Sequence, residues 1–361
     1  MTRILVHRIG SLGDTLLCLP ALWALKESFP SAELTLLSDQ QVGSKRVLSR
    51  QLFEGSGIFK GFISYPVDPS PLGRWLLPFR LLALLVQLRA GRFQAVAYLA
   101  PSKRSSAQVK RDLLFFRLAG ISSVLGSHGF KGPATGPVQR PLAREAHEAD
   151  QILERLALDG LQLPRPGQRS FDLKLSPAEE KIVTHWLESL PPDGQRVWVG
   201  LGPSSRQPAK VWPEDRYASL VSRLIERRDV WPVVFGGAED RALGQRLLAR
   251  WGRGHNACGL LGVRADAAAL RRCALFIGND SGTLHLAASV GVRCIGIFAA
   301  NYAPGKWEPY GPGHRVLRAN VDCEGCGLSV CVEEGMRCLK ELSVDQALEA
   351  SLQVLREGPG R

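Results

Sequence analysis

Glycines and polar side chains cluster at four points where an apolar run ends, and each cluster could hold or react with a charged ligand. They are Gly10-Ser11-Leu12-Gly13-Asp14, the segment from Gly202 to Lys210, Gly236-Gly237-Ala238-Glu239-Asp240, and the segment from Gly278 to His285. In open α/β sheets, ligands bind beyond the carboxyl ends of the strands. The sequence therefore predicts four ligand-facing turns.

The first turn could supply a general base. Asp14 follows Gly10, Ser11 and Gly13 where a helix should begin, and a carboxylate held there could take a proton from a hydroxyl. The alternative is a helix cap, because an acidic side chain in the first turn stabilises the helix dipole. The turn does not have the G-x-G-x-x-G spacing, so the sequence predicts no dinucleotide fingerprint.

The second and third turns carry groups suited to a nucleoside diphosphate. Ser204, Ser205 and Lys210 offer hydroxyls and a cation for a diphosphate, although the spacing is not that of a P-loop. Glu239 and Asp240 follow two glycines and could accept hydrogen bonds from ribose hydroxyls. A solvated turn with a surface lysine, and an ordinary acidic helix start, are the alternatives.

The fourth turn most strongly indicates an anion site. The apolar strand at 275–277 runs into Gly278-Asn279-Asp280-Ser281-Gly282-Thr283-Leu284-His285, and a helix beginning near Ser281 would direct its N-terminal amides at a pyrophosphate. His285 either donates to a phosphate or is a satisfied buried histidine.

Strands alternate with helices along the chain, which predicts parallel, doubly wound sheets. In the first half we expect strands at 3–9, 33–37 and 93–99, with helices at 15–27, 75–90 and 110–118. In the second half we expect strands at 197–201, 231–235, 275–277 and 294–298, with helices at 213–228, 241–251, 283–290 and 344–355.

Length and composition predict two domains. A chain of 361 residues exceeds what one core usually supports. We expect an N-terminal domain at 1–175, a Pro- and Gly-rich linker at 176–195, a C-terminal domain at 196–340 with a Cys-rich tail at 320–340, and a C-terminal helix at 341–361.

Charge is concentrated in the first third of the chain. Residues 1–120 carry 16 Lys/Arg against 7 Asp/Glu, a net +9 of the overall +12, which favours an acidic partner. The basic residues do not alternate with aromatics, so nucleic acid is the weaker choice. The start of the chain does not resemble a signal peptide, and the apolar stretch at 75–88 is too short and too charged to span a bilayer. We expect a cytoplasmic protein that is either free or peripheral on the inner face of the membrane.

Four of the eight cysteines fall close together. Cys323, Cys326, Cys331 and Cys338 could wrap one structural zinc or iron ion, or remain reduced thiols that pack a loop. Neither reading gives them a catalytic role.

Three of these segments together resemble glycosyltransferase family nine, the ADP-heptose:lipopolysaccharide heptosyltransferase-like enzymes. They are the segment at 9–22, the run Lys210-Val211-Trp212-Pro213-Glu214, and the run from Asn279 to Ala288, in the family's order and within residues 3–315. The resemblance implies a GT-B fold, with two Rossmann-like doubly wound domains facing across a cleft. It also implies an inverting transfer of a sugar from a nucleotide-diphosphate sugar, ADP-heptose or another, without a catalytic cofactor or metal.

The resemblance also implies roles for individual residues. Asp14 is similar to the general base, within the acceptor-side loop of Gly10, Ser11 and Gly13. Lys210, with Ser204 or Ser205, corresponds to the group that holds the leaving diphosphate. Asp280 matches the residue that contacts the donor sugar, and the amides of Ser281, Gly282 and Thr283 match the phosphate cradle. Either Glu239 or Asp240 meets the ribose.

The acceptor implied by the resemblance is an anionic glycolipid or a cell-envelope glycan of the lipopolysaccharide type. This chain departs from the family after the strand at 294–298, where Phe298-Ala299-Ala300-Asn301 replaces a Phe-Gly-Pro-Thr run, so the donor sugar stays open. A GT-B sugar-nucleotide epimerase and a non-catalytic nucleotide-sugar-binding protein are the alternatives.

Overall fold

The computed structural model describes residues 1–41, 47, 49–67, 70–130, 132, 140–165, 168–194, 196–332 and 334–358. The chain divides into two compact units, Met1–Gly136 with Glu148–Lys174, and Pro137–His147 with Leu175–Arg361. Arg140 and Leu142, in the early segment of the second unit, bond Glu324. The Glu324 carboxylate accepts from the Leu142 amide, and the Glu324 carbonyl accepts from Arg140 Nε at 2.9 Å.

The first unit contains one five-stranded sheet, and all of its strands run parallel. The order is β3-β2-β1-β4-β5, which is the order of the first five strands of a doubly wound Rossmann sheet. The strands are β1 (Arg3–His7), β2 (Glu33–Gln41), β3 (Gly61–Val67), β4 (Ala95–Tyr98) and β5 (Ser123–Leu125).

Six helices accompany this sheet. They are α1 (Leu12–Leu16), α2 (Leu19–Ser28), α3 (Ser49–Phe53), α4 (Pro71–Ala90), α5 (Ser106–Leu118) and α6 (Glu148–Leu158). The prediction of a single helix at 15–27 is wrong, because α1 and α2 lie there. Pro20, near the start of α2, has no amide hydrogen to donate, which disfavours one uninterrupted helix. The apolar segment expected at 75–90 begins four residues earlier, where the Ser70 hydroxyl caps α4 at the Gly73 amide.

The second unit contains a six-stranded parallel sheet of order β11-β10-β9-β6-β7-β8. Counted from β6, this is the Rossmann order 3-2-1-4-5-6, and the direction of winding reverses between β6 and β9. The strands are β6 (Trp198–Gly202), β7 (Trp231–Val234), β8 (His255–Asn256), β9 (Cys273–Asn279), β10 (Cys294–Phe298) and β11 (Arg315–Arg318).

The helices of the second unit cover both faces of its sheet. They are α7 (Pro177–Glu188), α8 (Glu214–Arg228), α9 (Arg241–Trp251), α10 (Val263–Leu270), α11 (Gly282–Ser289), α12 (Arg337–Lys340) and α13 (Val344–Arg356), with 3₁₀ turns at Pro208–Lys210 and Ala238–Asp240. The predicted linker at 176–195 is mostly helix α7, and its Glu179 pairs with Arg264 of α10 at 2.5 Å. Gln195, and residues 359–361 of the predicted C-terminal helix, lie outside the described residues.

Each unit has its own apolar core. In the first unit, Leu84 and Leu88 of α4 and Phe116 of α5 pack with Val96 and Tyr98 of β4. In the second, a larger core joins β6, β9 and β10 to α8 and α13. A parallel sheet that is buried on both faces needs helices on both sides. The packed helices hold the strands in place, and the polar turns at the strand ends are held with them.

Candidate functional site

The second unit brings two of the predicted turns together at the point where its winding reverses. Lys210 follows β6, Asp280 follows β9, and the Lys210 ammonium donates to the Asp280 carboxylate at 2.5 Å. Both side chains are only 12% exposed, so this cation is held in place rather than free in solvent. The ammonium, with Asp280 as its counter-ion, is therefore positioned at the strand ends, where α/β sheets bind ligands.

A buried asparagine sets the spacing of that pair. The Asn279 side-chain oxygen accepts from the Trp212 amide at 3.1 Å and from the Tyr217 hydroxyl at 3.0 Å. Asn279 and Trp212 are both completely buried. These two bonds tie the segment after Lys210 to the end of β9, so the Lys–Asp contact is supported by the core of the unit.

The N-terminus of α11 lies beside the ion pair and is open to an anion. Its N-cap, Ser281, makes no side-chain bond to the first helical amides, and its hydroxyl instead lies 2.8 Å from the Thr283 hydroxyl. The Ser205 hydroxyl donates to the Asp280 carbonyl at 3.4 Å. Helix N-terminal amides carry partial positive charge, so this end suits a phosphate group.

Glycine at position 202 keeps this region open. A Cβ atom there would lie 2.8 Å from the Thr283 hydroxyl and 2.8 Å from the Phe276 ring, closer than such atoms approach one another. The close approach of β6 to the start of α11 therefore requires a residue without a side chain.

The two acidic residues of the third turn have different surroundings. The Asp240 carboxylate accepts from the Gly237 amide at 2.9 Å and from the Ser204 hydroxyl, and burial raises its pKa above the usual value. Glu239 is exposed. Asp240 and Ser204 thus hold the turn together, while Glu239 offers a carboxylate to a ligand.

His285 is 5% exposed on α11, close behind the anion-binding end of the helix. Its amide donates to the Ser281 carbonyl at 3.4 Å. The side chain is therefore buried, and both alternatives, a satisfied buried histidine and a direct phosphate contact, stay predictions.

The segment that departs from the family pattern lines a pocket beside Asp280. This pocket includes the aromatic rings of Tyr302 and Trp307, with Asn301, Glu308 and Arg318. The Lys210 ammonium lies 5.1 Å from the centre of the Tyr302 ring. Sequence analysis named Phe298-Ala299-Ala300-Asn301 as a departure from the family but did not single out Tyr302, because a lone tyrosine in a Gly- and Pro-rich loop gave no signal.

In the first unit, Asp14 is the third residue of α1 and belongs to a reciprocal capping box. Its Oδ2 accepts from the Ser11 amide at 2.9 Å and from the Ser11 hydroxyl at 2.6 Å. The side chain is 24% exposed, so one face of the carboxylate stays open. The helix-cap alternative is thus present in the structure, and it leaves the carboxylate accessible for a second role.

Beneath this turn lies a cation that sequence reasoning missed. Arg8 is 1% exposed, donates to the Leu99 carbonyl at 2.7 Å, and has its Nη2 3.8 Å from Asp14 Oδ1. Its Nε and Nη2 atoms are buried without a hydrogen-bond partner among the residues that the structure describes. A Cβ atom on Gly10 would lie 3.0 Å from Arg8 Nη2 and 3.1 Å from Asp14 Cβ, so Gly10 lets the turn close over the guanidinium. An arginine directly after the strand residues Ile4-Leu5-Val6-His7, three of which are apolar, was the available signal.

The four clustered cysteines are free thiols, and Cys326 is exposed. The Cys331 sulfur accepts from the Met336 amide at 3.4 Å, and burial raises the pKa of Cys323. Within the described part of the chain, which leaves out Glu333, no three His, Cys, Asp or Glu side chains are gathered so that they could hold a metal ion. A structural zinc or iron ion would require these thiols to move together.

Two Rossmann-like units, with a lysine and a helix N-terminus at the winding reversal of the second, are typical of the GT-B fold. The family model of glycosyltransferase family 9 (heptosyltransferase) matches residues 144–337, more than half of the chain. The chain belongs to glycosyltransferase family 9.

Individual relatives are similar over the whole length. Lipooligosaccharide heptosyltransferase 2 of Campylobacter jejuni is 23% identical over 362 residues, which cover 98% of each chain. The crystal structure of a family 9 glycosyl transferase from Veillonella parvula superposes with a TM-score of 0.75 at 22% identity, covering 99% of this chain and 98% of the other. The Escherichia coli heptosyltransferase WaaC, solved with ADP, gives a TM-score of 0.66 at 18% identity, covering 98% and 100%. The structural likenesses establish the fold, and family membership favours a transferase over the epimerase alternative.

Proposed function

We propose that this protein transfers heptose from ADP-heptose to a lipopolysaccharide-type acceptor, an anionic glycolipid presented at the inner face of the cytoplasmic membrane. The donor is suggested by WaaC, which was solved with ADP, and the reaction by the Campylobacter relative, which is a lipooligosaccharide heptosyltransferase. The observation that carries the proposal is the fixed Lys210 beside the open N-terminus of α11.

The second unit binds the donor in this proposal. The diphosphate lies against the amides of Ser281 to Thr283 and against Lys210, which together meet the negative charge that builds as the leaving group departs. Ser205 lies close enough to contribute a hydroxyl, because it already bonds the Asp280 carbonyl.

The sugar and the ribose take different acidic residues. Asp280 lines the pocket with Tyr302 and Trp307, so its carboxylate can accept from sugar hydroxyls while the rings cover the apolar face of the sugar. Glu239 is the ribose acceptor we favour, since Asp240 is occupied by the Gly237 amide and the Ser204 hydroxyl.

The first unit supplies the base. Asp14 takes the proton from the acceptor hydroxyl as that oxygen attacks the anomeric carbon, and the bond to the diphosphate breaks on the opposite side with inversion. Ser11 orients the carboxylate through two hydrogen bonds, and the Arg8 guanidinium lies 3.8 Å from it as a counter-charge.

Thermal unfolding with nucleotides tests donor binding. A ligand that binds the folded state at a hundred times its Kd stabilises it by about 2.7 kcal/mol. We expect ADP to raise Tm, AMP to raise it less because it lacks the second phosphate, and Lys210→Met to remove most of the difference. Lys181→Met, which changes an exposed lysine of α7 in the same unit, should respond like the wild type. Equal shifts with ADP and AMP, or an ADP shift that survives Lys210→Met, would refute the diphosphate seat.

A further inference from the structure

Helix α4 has two apolar faces, and only one of them is covered by protein. Leu84 and Leu88 are 3% and 0% exposed and pack in the core of the first unit. Leu72, Trp75, Phe79, Leu82 and Val86 are 59–69% exposed. A helix on the surface of a globular domain usually turns a polar face outward, so this pattern needs an explanation.

The exposed residues form one continuous stripe. Their spacing along the helix is three, four, three and four residues, which places side chains on the same face because a helix turns once in about 3.6 residues. The rings of Trp75 and Phe79 are neighbours, with centroids 6.0 Å apart. We call these five residues the α4 stripe.

Two further exposed apolar residues lie on α5. Leu114 and Leu118 are 58% and 54% exposed, and the Leu118 carbonyl accepts from Arg89 Nη1 at 3.3 Å. Since Arg89 belongs to α4, this bond brings the C-terminal ends of the two helices side by side. Contiguous exposed apolar surface of this kind marks an interaction site rather than an ordinary protein surface.

The charges around the stripe identify the partner. Residues 70–118 contain nine Lys/Arg and a single acid, Asp112, which is 12% exposed and pairs with Arg104 at 2.7 Å. The exposed cations on the two helices are Arg74, Arg89, Lys110, Arg111 and Arg117. Large apolar side chains bordered by cations are the pattern of a helix that lies in the interface of an anionic membrane.

The arrangement favours lying on the membrane over crossing it. The prediction that the apolar stretch at 75–88 is too short and too charged to span a bilayer is wrong by length and composition alone, because α4 has 20 residues and its most apolar 18-residue window has a mean hydropathy of 1.2. Of that window, 17% is buried within the protein. Leu84 and Leu88 are already committed to the core, so the helix cannot surround itself with lipid without opening the first unit.

We propose that the α4 stripe, with Leu114 and Leu118 and the surrounding cations, docks the first unit on an anionic phospholipid surface. Trp75, Phe79 and Leu82 enter the boundary between headgroups and acyl chains, and the arginines and lysines contact lipid phosphates. The inference extends the membrane-borne acceptor of the proposed function. It is measured without donor or acceptor, so either proposal can fail alone.

Vesicle co-sedimentation of the full chain tests the docking. We expect binding to phosphatidylcholine vesicles containing 30 mol% phosphatidylglycerol to exceed binding to pure phosphatidylcholine by about tenfold or more, and to fall several-fold between 0.1 and 0.5 M NaCl. Trp75→Ser with Phe79→Ser should lower binding at least tenfold. Ile182→Ser with Val332→Ser, which changes two exposed apolar residues of the second unit, should leave it unchanged.

Brominated lipids locate the contact. Quenching of tryptophan fluorescence by anionic vesicles should be largely lost in Trp75→Phe, which still binds. Absence of vesicle binding would overturn the proposal, as would binding that ignores both lipid charge and the Trp75/Phe79 substitutions. A concentration-dependent dimer that these substitutions dissolve, without vesicle binding, would show instead that the stripe joins two copies of the chain.

Discussion

Replacing Asp14 by Asn separates the two roles that this carboxylate can have. The substitution keeps the size of the side chain and one oxygen that can accept from Ser11, but removes the negative charge and the ability to take a proton. If Asp14 only caps α1, the cost should appear in stability. If Asp14 is the base, the cost should appear in turnover.

The structure sets the size of the stability term. The attraction between charges 3.8 Å apart is at most about 4 kcal/mol at an effective dielectric constant of 20, and the 24% exposure of Asp14 lets solvent screen it. The weakened cap adds about 0.5–1 kcal/mol. We expect a total loss of about 1–3 kcal/mol, which lowers Tm by roughly 2–4 °C per kcal/mol.

The catalytic term should be larger and of another kind. General base catalysis contributes about 10²–10⁴-fold, equivalent to about 3–5 kcal/mol of barrier. We expect kcat of Asp14→Asn to fall by about 10² or more at a temperature well below Tm, with the affinity for ADP unchanged, because in the proposed function ADP binds the second unit.

Asp112→Asn is the matched control. Asp112 lies in the same unit, is 12% exposed, pairs with Arg104 at 2.7 Å and accepts from the Tyr98 hydroxyl at 2.6 Å. It should lose at least as much stability as Asp14→Asn while its turnover stays within about twofold of the wild type. The reasoning is refuted if Asp14→Asn keeps near-normal turnover, or if both variants lose turnover in proportion to their loss of stability.

Three further predictions concern the remaining groups. Arg8→Met should lower kcat at least tenfold with the donor KM unchanged, and Arg8→Lys should recover most of the lost kcat. A fully active Met variant would contradict a role for Arg8 as the counter-charge of Asp14. Glu239→Gln should raise the donor KM about fivefold or more without lowering Tm, and Asp240→Asn should mainly lower Tm. If instead Asp240→Asn raises the donor KM and Glu239→Gln does not, the ribose contact belongs to Asp240. Purified protein should contain less than a tenth of an equivalent of zinc or iron by elemental analysis, and about one equivalent would show that the four clustered thiols converge on a metal.

Much of the fold followed from periodicity and turn chemistry. The apolar runs at 198–202, 231–234 and 294–298 form strands close to the predicted limits. Segments without that contrast were missed. α6 carries Glu148 and Arg155 on its buried side, where Arg155 bonds the Ala100 carbonyl, and such a helix looks exposed in sequence although tertiary contacts bury it.

The candidate site was predictable where one turn carries its own chemistry. Lys210 and Asp280 were named from their local patterns, but their contact depends on β6 and β9 being neighbours, which strand pairing over 70 residues decides. Arg8 illustrates the opposite case. Arg8 lies in the predicted strand at 3–9, and that position did not indicate which residues it contacts. The structure shows that Gly10 and Asp14 close over it.

Acceptor-dependent transfer from ADP-heptose tests the central claim most directly. With a lipopolysaccharide acceptor that lacks its heptose, the protein should release ADP and incorporate sugar in equal amounts, only when both substrates are present, and the new bond should have the anomeric configuration opposite to that of the donor. Conversion or hydrolysis of ADP-heptose at the same rate without acceptor, or a product that retains the donor configuration, would contradict the account.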